Sequence, residues 1–164
     1  NRTGNKSVDW RNCSTFRPRI GSIYIMARIE IKNIQTLDNR AKSDFKEFSH
    51  NGTNSFYRKE LKSGRLNILA VFIDGERVGT LALRSETQPH GGEMVIVAGG
   101  GSYRGARLAP MMLEFLENLA YRLGESSIRF HTKREGLIRT GYERGYFEIE
   151  DGDPDEITLR KVLA

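Results

Sequence analysis

Cysteine is all but missing: Cys13 stands alone among 164 residues. A single thiol closes no internal disulfide, so the sequence predicts a fold held by its core and a reducing, cytoplasmic setting. Histidine is nearly as scarce. His50, His90 and His131 are scattered and lack the spacing of a metal centre. No apolar run reaches the length of a membrane span. Nothing at the amino end follows the charged, apolar, small-residue order of a secretion signal. The expectation is therefore a protein without a membrane partner.

What is present suits one compact domain. Hydrophobic residues make up 38% and charged residues 29%, enough apolar material to build a core at this length. The net charge of +5 is unevenly placed. Residues 1–25 hold five basic residues against Asp9, so that segment alone carries +4. The same segment shows no sustained apolar period, and Met26 opens a clean pattern. Two readings remain open for residues 1–25: upstream or expression-derived sequence, or a genuine disordered arm. The domain proper is expected over residues 26–164 and is close to neutral. Within it, residues 103–145 carry +3 and residues 146–164 carry −4, so anions are drawn to the first of these segments.

The period of the apolar residues sets the expected elements. "ARIEIKNI" alternates as a strand. "TLDNRAKSDFKEFS" carries Leu37, Ala41, Phe45 and Phe48 at helical spacing, with Thr36 placed to cap it. "NSFYRKELKSG" reads as a second helix that Gly64 ends. Two apolar runs joined by Asp74-Gly75 read as a hairpin. "EMVIVAG" is apolar enough for a strand buried on both faces. Leu108, Met111, Met112, Phe115, Leu116, Leu119, Ala120 and Leu123 fall on one helical face. Pro110 is tolerated only in a first turn, so this helix starts just before it. "SSIRFHTK" reads as a strand, "REGLIRTGYERG" as a short helix, and "YFEIE" and "EITLRKVL" as two last strands. The expected order is β-α-α-β-β-β-α-β-α-β-β.

A strand that runs through "GGGSYRGARLA" into a long amphipathic helix, followed by β-α-β-β, resembles the GNAT superfamily of N-acetyltransferases. The resemblance covers residues 26–164. It implies an α/β fold: a mixed, mostly antiparallel sheet with helices on both faces. It also implies acetyl-coenzyme A as co-substrate. The superfamily places an Arg/Gln-x-x-Gly-x-Gly/Ala signature at the start of its central helix. Here the stretch is Arg104, Gly105, Ala106, Arg107, Leu108 and Ala109, with Arg107 where the middle glycine stands. A helix start presents unpaired amides and a partial positive charge, small residues let a pyrophosphate approach them, and Arg104 adds a charge-assisted contact. Arg107 is open to two readings: an extra cation for a phosphate, or a side chain that blocks the loop. The three glycines 99–101 are equally open, to close approach of a ligand or to a plain connection.

The resemblance also implies that the backbone of Val97 and Gly99 follows the pantetheine arm, that Glu93 stands where several members carry a general base, and that Tyr142 lies near the position of a proton donor. The asparagine that many members carry after the fifth strand is absent, and "GY" (Gly145, Tyr146) replaces "GF". His90 and His131 are the other bases suited to neutral pH. Lys133, Arg134 and Arg139 join Arg104 and Arg107 as cations for a phosphate. The leading expectation is acetyl transfer from acetyl-coenzyme A to a primary amine of a small molecule or protein. The alternatives are an inactive GNAT-like binding or phage structural protein, and a GNAT-like enzyme that modifies nucleic acid. The near-neutral domain counts against the last.

Overall fold

The computed structural model describes residues 29–46, 53–102, 108–150 and 155–163. Residues 1–25 and the four residues Arg104, Gly105, Ala106 and Arg107 lie outside them. The elements follow the expected order: β1 (Ile29–Asn33), α1 (Asn39–Asp44), α2 (Thr53–Lys62), β2 (Asn67–Ile73), β3 (Glu76–Gln88), β4 (Gly91–Gly101), α3 (Leu108–Arg122), β5 (Ser127–Thr132), α4 (Glu135–Glu143), β6 (Phe147–Ile149) and β7 (Ile157–Val162). One sheet holds all seven strands in the order β1-β2-β3-β4-β5-β7-β6. Every pairing is antiparallel except β4 with β5. A parallel pair needs a long crossover, and α3 supplies it.

Local chemistry explains the joints. Asp74 and Gly75 turn the β2–β3 hairpin with φ of 50° and 84°, the left-handed pair that a tight hairpin requires. α3 starts at Leu108, which leaves Pro110 in the first turn. α1 is capped by Asp38 rather than Thr36: the Asp38 carboxylate accepts from the Ala41 amide at 2.7 Å.

Two cores lie on opposite faces of the sheet. On one, Met112, Leu113, Phe115, Leu116 and Ala120 of α3 meet Leu69, Leu83, Met94, Ile128, Phe130 and Leu159. Each of the larger of these side chains contributes about 1.5–3 kcal/mol by leaving water. On the other, α1 and α2 bring Ala41, Phe45 and Tyr57 against Ile68, Ala82 and Ala98. Among the described residues no helix is long and apolar enough to cross a membrane.

The middle of the sheet departs from regularity at one residue. Ala82 pairs with Ala98 and Leu83 pairs with Ile96, so Val97 is an extra residue in β4. This β-bulge reverses the alternation of side chains. Met94 and Ile96 belong to the α3 core, whereas Ala98 belongs to the α1–α2 core. A bulge also bends its strand. The pairing of β4 with β5 ends at Ile96 and Phe130, although β4 continues to Gly101 and β5 to Thr132. The two strands part company at the bulge.

Candidate functional site

The parting of β4 and β5 leaves a gap lined by main chain. Had the parallel register continued, Val97 would face His131. Val97, Ala98 and Gly99 therefore lack β5 partners. The far end of the gap is fixed by α1. A Cβ on Gly100 would overlap the Asp44 carbonyl oxygen, and a Cβ on Gly101 would overlap the Val78 carbonyl oxygen. These two glycines are thus required by close approach of the chain to itself. Gly99 faces only the Leu81 side chain, 3.0 Å from where its Cβ would stand. Side chains reinforce the contact. The Arg40 Nη2 donates to Ser102 Oγ at 2.9 Å, and Arg77 grips both Asp38 and Thr80. Thr80 Oγ1 donates to Asp44 at 2.6 Å. Leu108 and Ala109 lie in the first turn of α3, whose opening amides have no partners within the helix.

Glu93 pairs with Ser127 at the end of the β4–β5 seam away from the gap and is entirely buried. Arg160 grips it with a fork, Nε to Oε1 at 2.6 Å and Nη2 to Oε2 at 3.1 Å. Arg129 Nε donates to Oε2 at 2.8 Å, and Ser127 Oγ donates to Oε1 at 2.9 Å. Arg129 also pairs with Glu86, which pairs with Arg84. Burial alone pushes the Glu93 pKa up, but the hydrogen bonds from Arg160, Ser127 and Arg129 prevail and hold the carboxyl below its ordinary 4.5. A carboxylate so occupied is a weak proton acceptor. It joins β4 to β5 and β7, and the Arg129–Glu86 pair extends the network to β3. The signal in the sequence is Glu93 as the one charge within β4.

Tyr142 lies elsewhere. It is exposed on α4, and its hydroxyl donates to Glu148 of β6 at 2.7 Å. That bond raises its pKa. Strand β6 lies three positions from β4, about 14 Å at the usual strand spacing. Tyr146, the neighbour in "GY", is buried edge-on against Phe130 with centroids 5.2 Å apart. His131 sits on β5 at the first position beyond the pairing with β4, and its Nδ1 lies 2.8 Å from Thr158 Oγ1. His90 is at the opposite end of the strands, 3.2 Å from Ser127 Oγ. Lys133, Arg134 and Arg139 are exposed beyond β5.

Two further features escaped sequence reading. Glu117 of α3 is buried and held by Arg144 and Lys161, which tie α3 to α4 and β7. A groove of about 430 Å³ between α2 and β3 is lined by Phe56, Glu60, Arg65, Arg84, Ser85 and Glu86. Among the described residues no group of histidine, cysteine or carboxylates is arranged to hold a metal ion.

Neither a family model nor a curated relative matches the sequence. Solved structures do match in fold. The N-acetyltransferase PseH of Campylobacter jejuni superposes with a TM-score of 0.59 at 12% identity, over 83% of this chain and 99% of that one. A GNAT family acetyltransferase from Elizabethkingia anophelis, with acetyl-CoA bound, gives 0.62 at 11% identity, over 82% and 98%. Naa50 of Arabidopsis thaliana, in complex with the bisubstrate analogue CoA-Ac-MVNAL, gives 0.54 at 15% identity, over 81% and 97%. The chain has the GNAT fold: a mixed, mostly antiparallel seven-stranded sheet with helices on both faces.

Proposed function

We propose that this protein transfers an acetyl group from acetyl-coenzyme A to a primary amine. The observation that carries this reading is the gap between β4 and β5. It begins at the Val97 bulge and leads through Gly99 towards the start of α3. Such a gap offers unpaired backbone groups to an extended amide chain, as a strand edge does. The α3 start offers amides and partial positive charge to a pyrophosphate.

The roles follow the resemblance. The backbone of Val97 and Gly99 holds the pantetheine arm. Arg104, Gly105, Ala106, Arg107, Leu108 and Ala109 form the phosphate cradle, with Lys133 and Arg134 as further cations. Acetyl-coenzyme A arrives as the second substrate and carries the thioester to be attacked. Glu93 works as a brace rather than as the base, because Arg129, Arg160 and Ser127 occupy its oxygens. Tyr142 ties α4 to β6. The acetyl-CoA bound to the Elizabethkingia anophelis structure supports the choice of co-substrate, and the N-acetyltransferase activities of the matching proteins support that of an amine acceptor.

Calorimetry with coenzyme A tests the reading. Binding is expected to the whole chain, and Arg104→Ala is expected to weaken it by about 1–3 kcal/mol, the loss for a charged hydrogen bond. Arg107→Gly decides between the two readings of that side chain: tighter binding marks a block, weaker binding a phosphate contact. No binding at millimolar coenzyme A to either the intact chain or the Arg107→Gly form overturns the proposal and leaves a non-catalytic binding protein.

A further inference from the structure

The groove between α2 and β3 lies outside the gap between β4 and β5, and the coenzyme reading makes no use of it. Its volume of about 430 Å³ is that of a small-molecule site. Its lining is mostly charged: Glu60, Arg65, Arg84 and Glu86, with Phe56 and Ser85 beside them. We propose that this groove is a second binding site, and that it takes a small molecule bearing one carboxylate on an apolar body.

The charges divide unequally once their bonds are followed. Arg65 donates to both oxygens of Glu60, Nε to Oε2 at 3.0 Å and Nη2 to Oε1 at 2.7 Å. Glu86 is taken at Oε1 by Arg84 Nη2 and at Oε2 by Arg129 Nη2. Ser85 Oγ donates to Glu125 Oε1 at 2.6 Å. Every carboxylate oxygen in the lining is therefore engaged, but donors are left over. Among the described residues, Nη1 of Arg65 and Nη1 of Arg84 have no partner. Arg84 Nε is shut off from water and bonds to nothing among them either. A buried N–H without an acceptor is costly. Arg84 is held through Nη2 alone, so its guanidinium can turn towards an acceptor that enters the groove. An anion supplies the acceptor that the lining lacks.

The same lining limits the charge of the ligand. Two guanidinium groups stand beside two carboxylates, so the groove is neutral in sum. A dianion such as a phosphate monoester meets repulsion from Glu60 and Glu86. A single carboxylate matches the planar fork of a guanidinium and carries half the charge. Phe56 sets the body of the ligand. It is 41% exposed, and its ring packs edge-on to the buried Tyr57 with centroids 5.7 Å apart. That ring is a fixed wall on which apolar groups leave water. The floor is shared with the seam: Arg129, which holds Glu86, also holds Glu93.

The probe is 3-phenylpropionate, with 3-phenylpropionamide and phenyl phosphate as its neutral and dianionic counterparts. Each is titrated by NMR into the isotope-labelled whole chain without coenzyme A. The acid is expected to saturate in the millimolar range, with shifts centred on Phe56, Arg65 and Arg84. The amide and the phosphate are expected to bind at least about tenfold more weakly, the range for a charged hydrogen bond. Arg84→Gln and Arg65→Gln are each expected to weaken the acid by about tenfold or more. Arg58→Gln, on the exposed side of α2, is expected to leave it unchanged. The amide spectrum of each variant reports whether its fold is kept. An amide that binds as tightly as the acid, affinity unmoved in both Arg65→Gln and Arg84→Gln, or no saturable binding at millimolar acid each overturn the proposal. The carboxylate can arrive on the amine acceptor or on a separate effector, and thiol release from acetyl-coenzyme A separates the two. A preference for lysine over cadaverine that Arg84→Gln abolishes marks the acceptor. A rate with cadaverine that changes on adding 3-phenylpropionate marks an effector. Acid binding by a chain that does not bind coenzyme A upholds this site and overturns only the function proposed above.

Discussion

Glu93 is a buried carboxylate held between two guanidinium groups. Its position near the start of a central strand is legible. Its burial is not, because its partners Arg129 and Arg160 stand 36 and 67 residues away, and no local period links them. Removing its charge leaves two cations facing a neutral amide. Glu93→Gln is therefore expected to destabilise the chain by about 3–5 kcal/mol, a fall in melting temperature of about 10 °C, measured by calorimetry. The folded carboxyl sits below its ordinary 4.5. The stability it supplies is thus complete above that value and is lost as pH falls through the lower folded one. Melts between about pH 5 and pH 3 are expected to show a flatter acid limb for Glu93→Gln than for the parent. Gly100 is a second such residue. Sequence alone leaves "GGG" open between ligand contact and a plain connection, and the Asp44 carbonyl settles it for position 100. Gly100→Ala is expected to cost about 1–3 kcal/mol. Gly136→Ala, where the space is open, is expected to be neutral or to gain about 0.5 kcal/mol. Denaturant midpoints separate the two.

At the scale of elements, periodicity carried most of the fold. The order of strands and helices, the Asp74-Gly75 turn and the Pro110 limit on α3 all follow from short-range chemistry that the three-dimensional packing did not need to override. Errors came where two local choices compete or where the cause is long-range. Thr36 and Asp38 are both good caps, and Asp38 wins because it also binds Arg77 of β3. Asp38→Ala is expected to cost about 1 kcal/mol from the cap alone. It should cost more in the presence of Arg77 than in an Arg77→Ala background, and a double-mutant cycle on thermal stability reads the difference. The Val97 bulge left no mark on the sequence, since "VIVA" keeps the same composition whether or not one residue is extra. Of the candidate site, the order of central strand and long helix could be read, but not which charged groups the pairing of the strands buries together, since Glu93, Arg129 and Arg160 come from three separate strands.

Taken whole, the sheet is two blocks joined at a short seam. Strands β1 to β4 are neighbours in sequence and in space, whereas β5, β7 and β6 form the second block. Four residue pairs and the Glu93 network connect them. A ligand seated in the gap touches both blocks, so coenzyme A at a hundred times its Kd is expected to stabilise the whole chain by about 2.7 kcal/mol. Scanning calorimetry should show one transition shifted upward rather than two separated ones. The seam also bears on the order of folding. The first block closes through adjacent segments, but the parallel pairing must wait until α3 has carried the chain across, and distant contacts form late. The ion network is then a lock set after assembly rather than a nucleus. Changes in it should accelerate unfolding and leave the refolding limb of a chevron almost where it was. The bond system that looks most central in the native protein would be the one that governs its lifetime, not its birth.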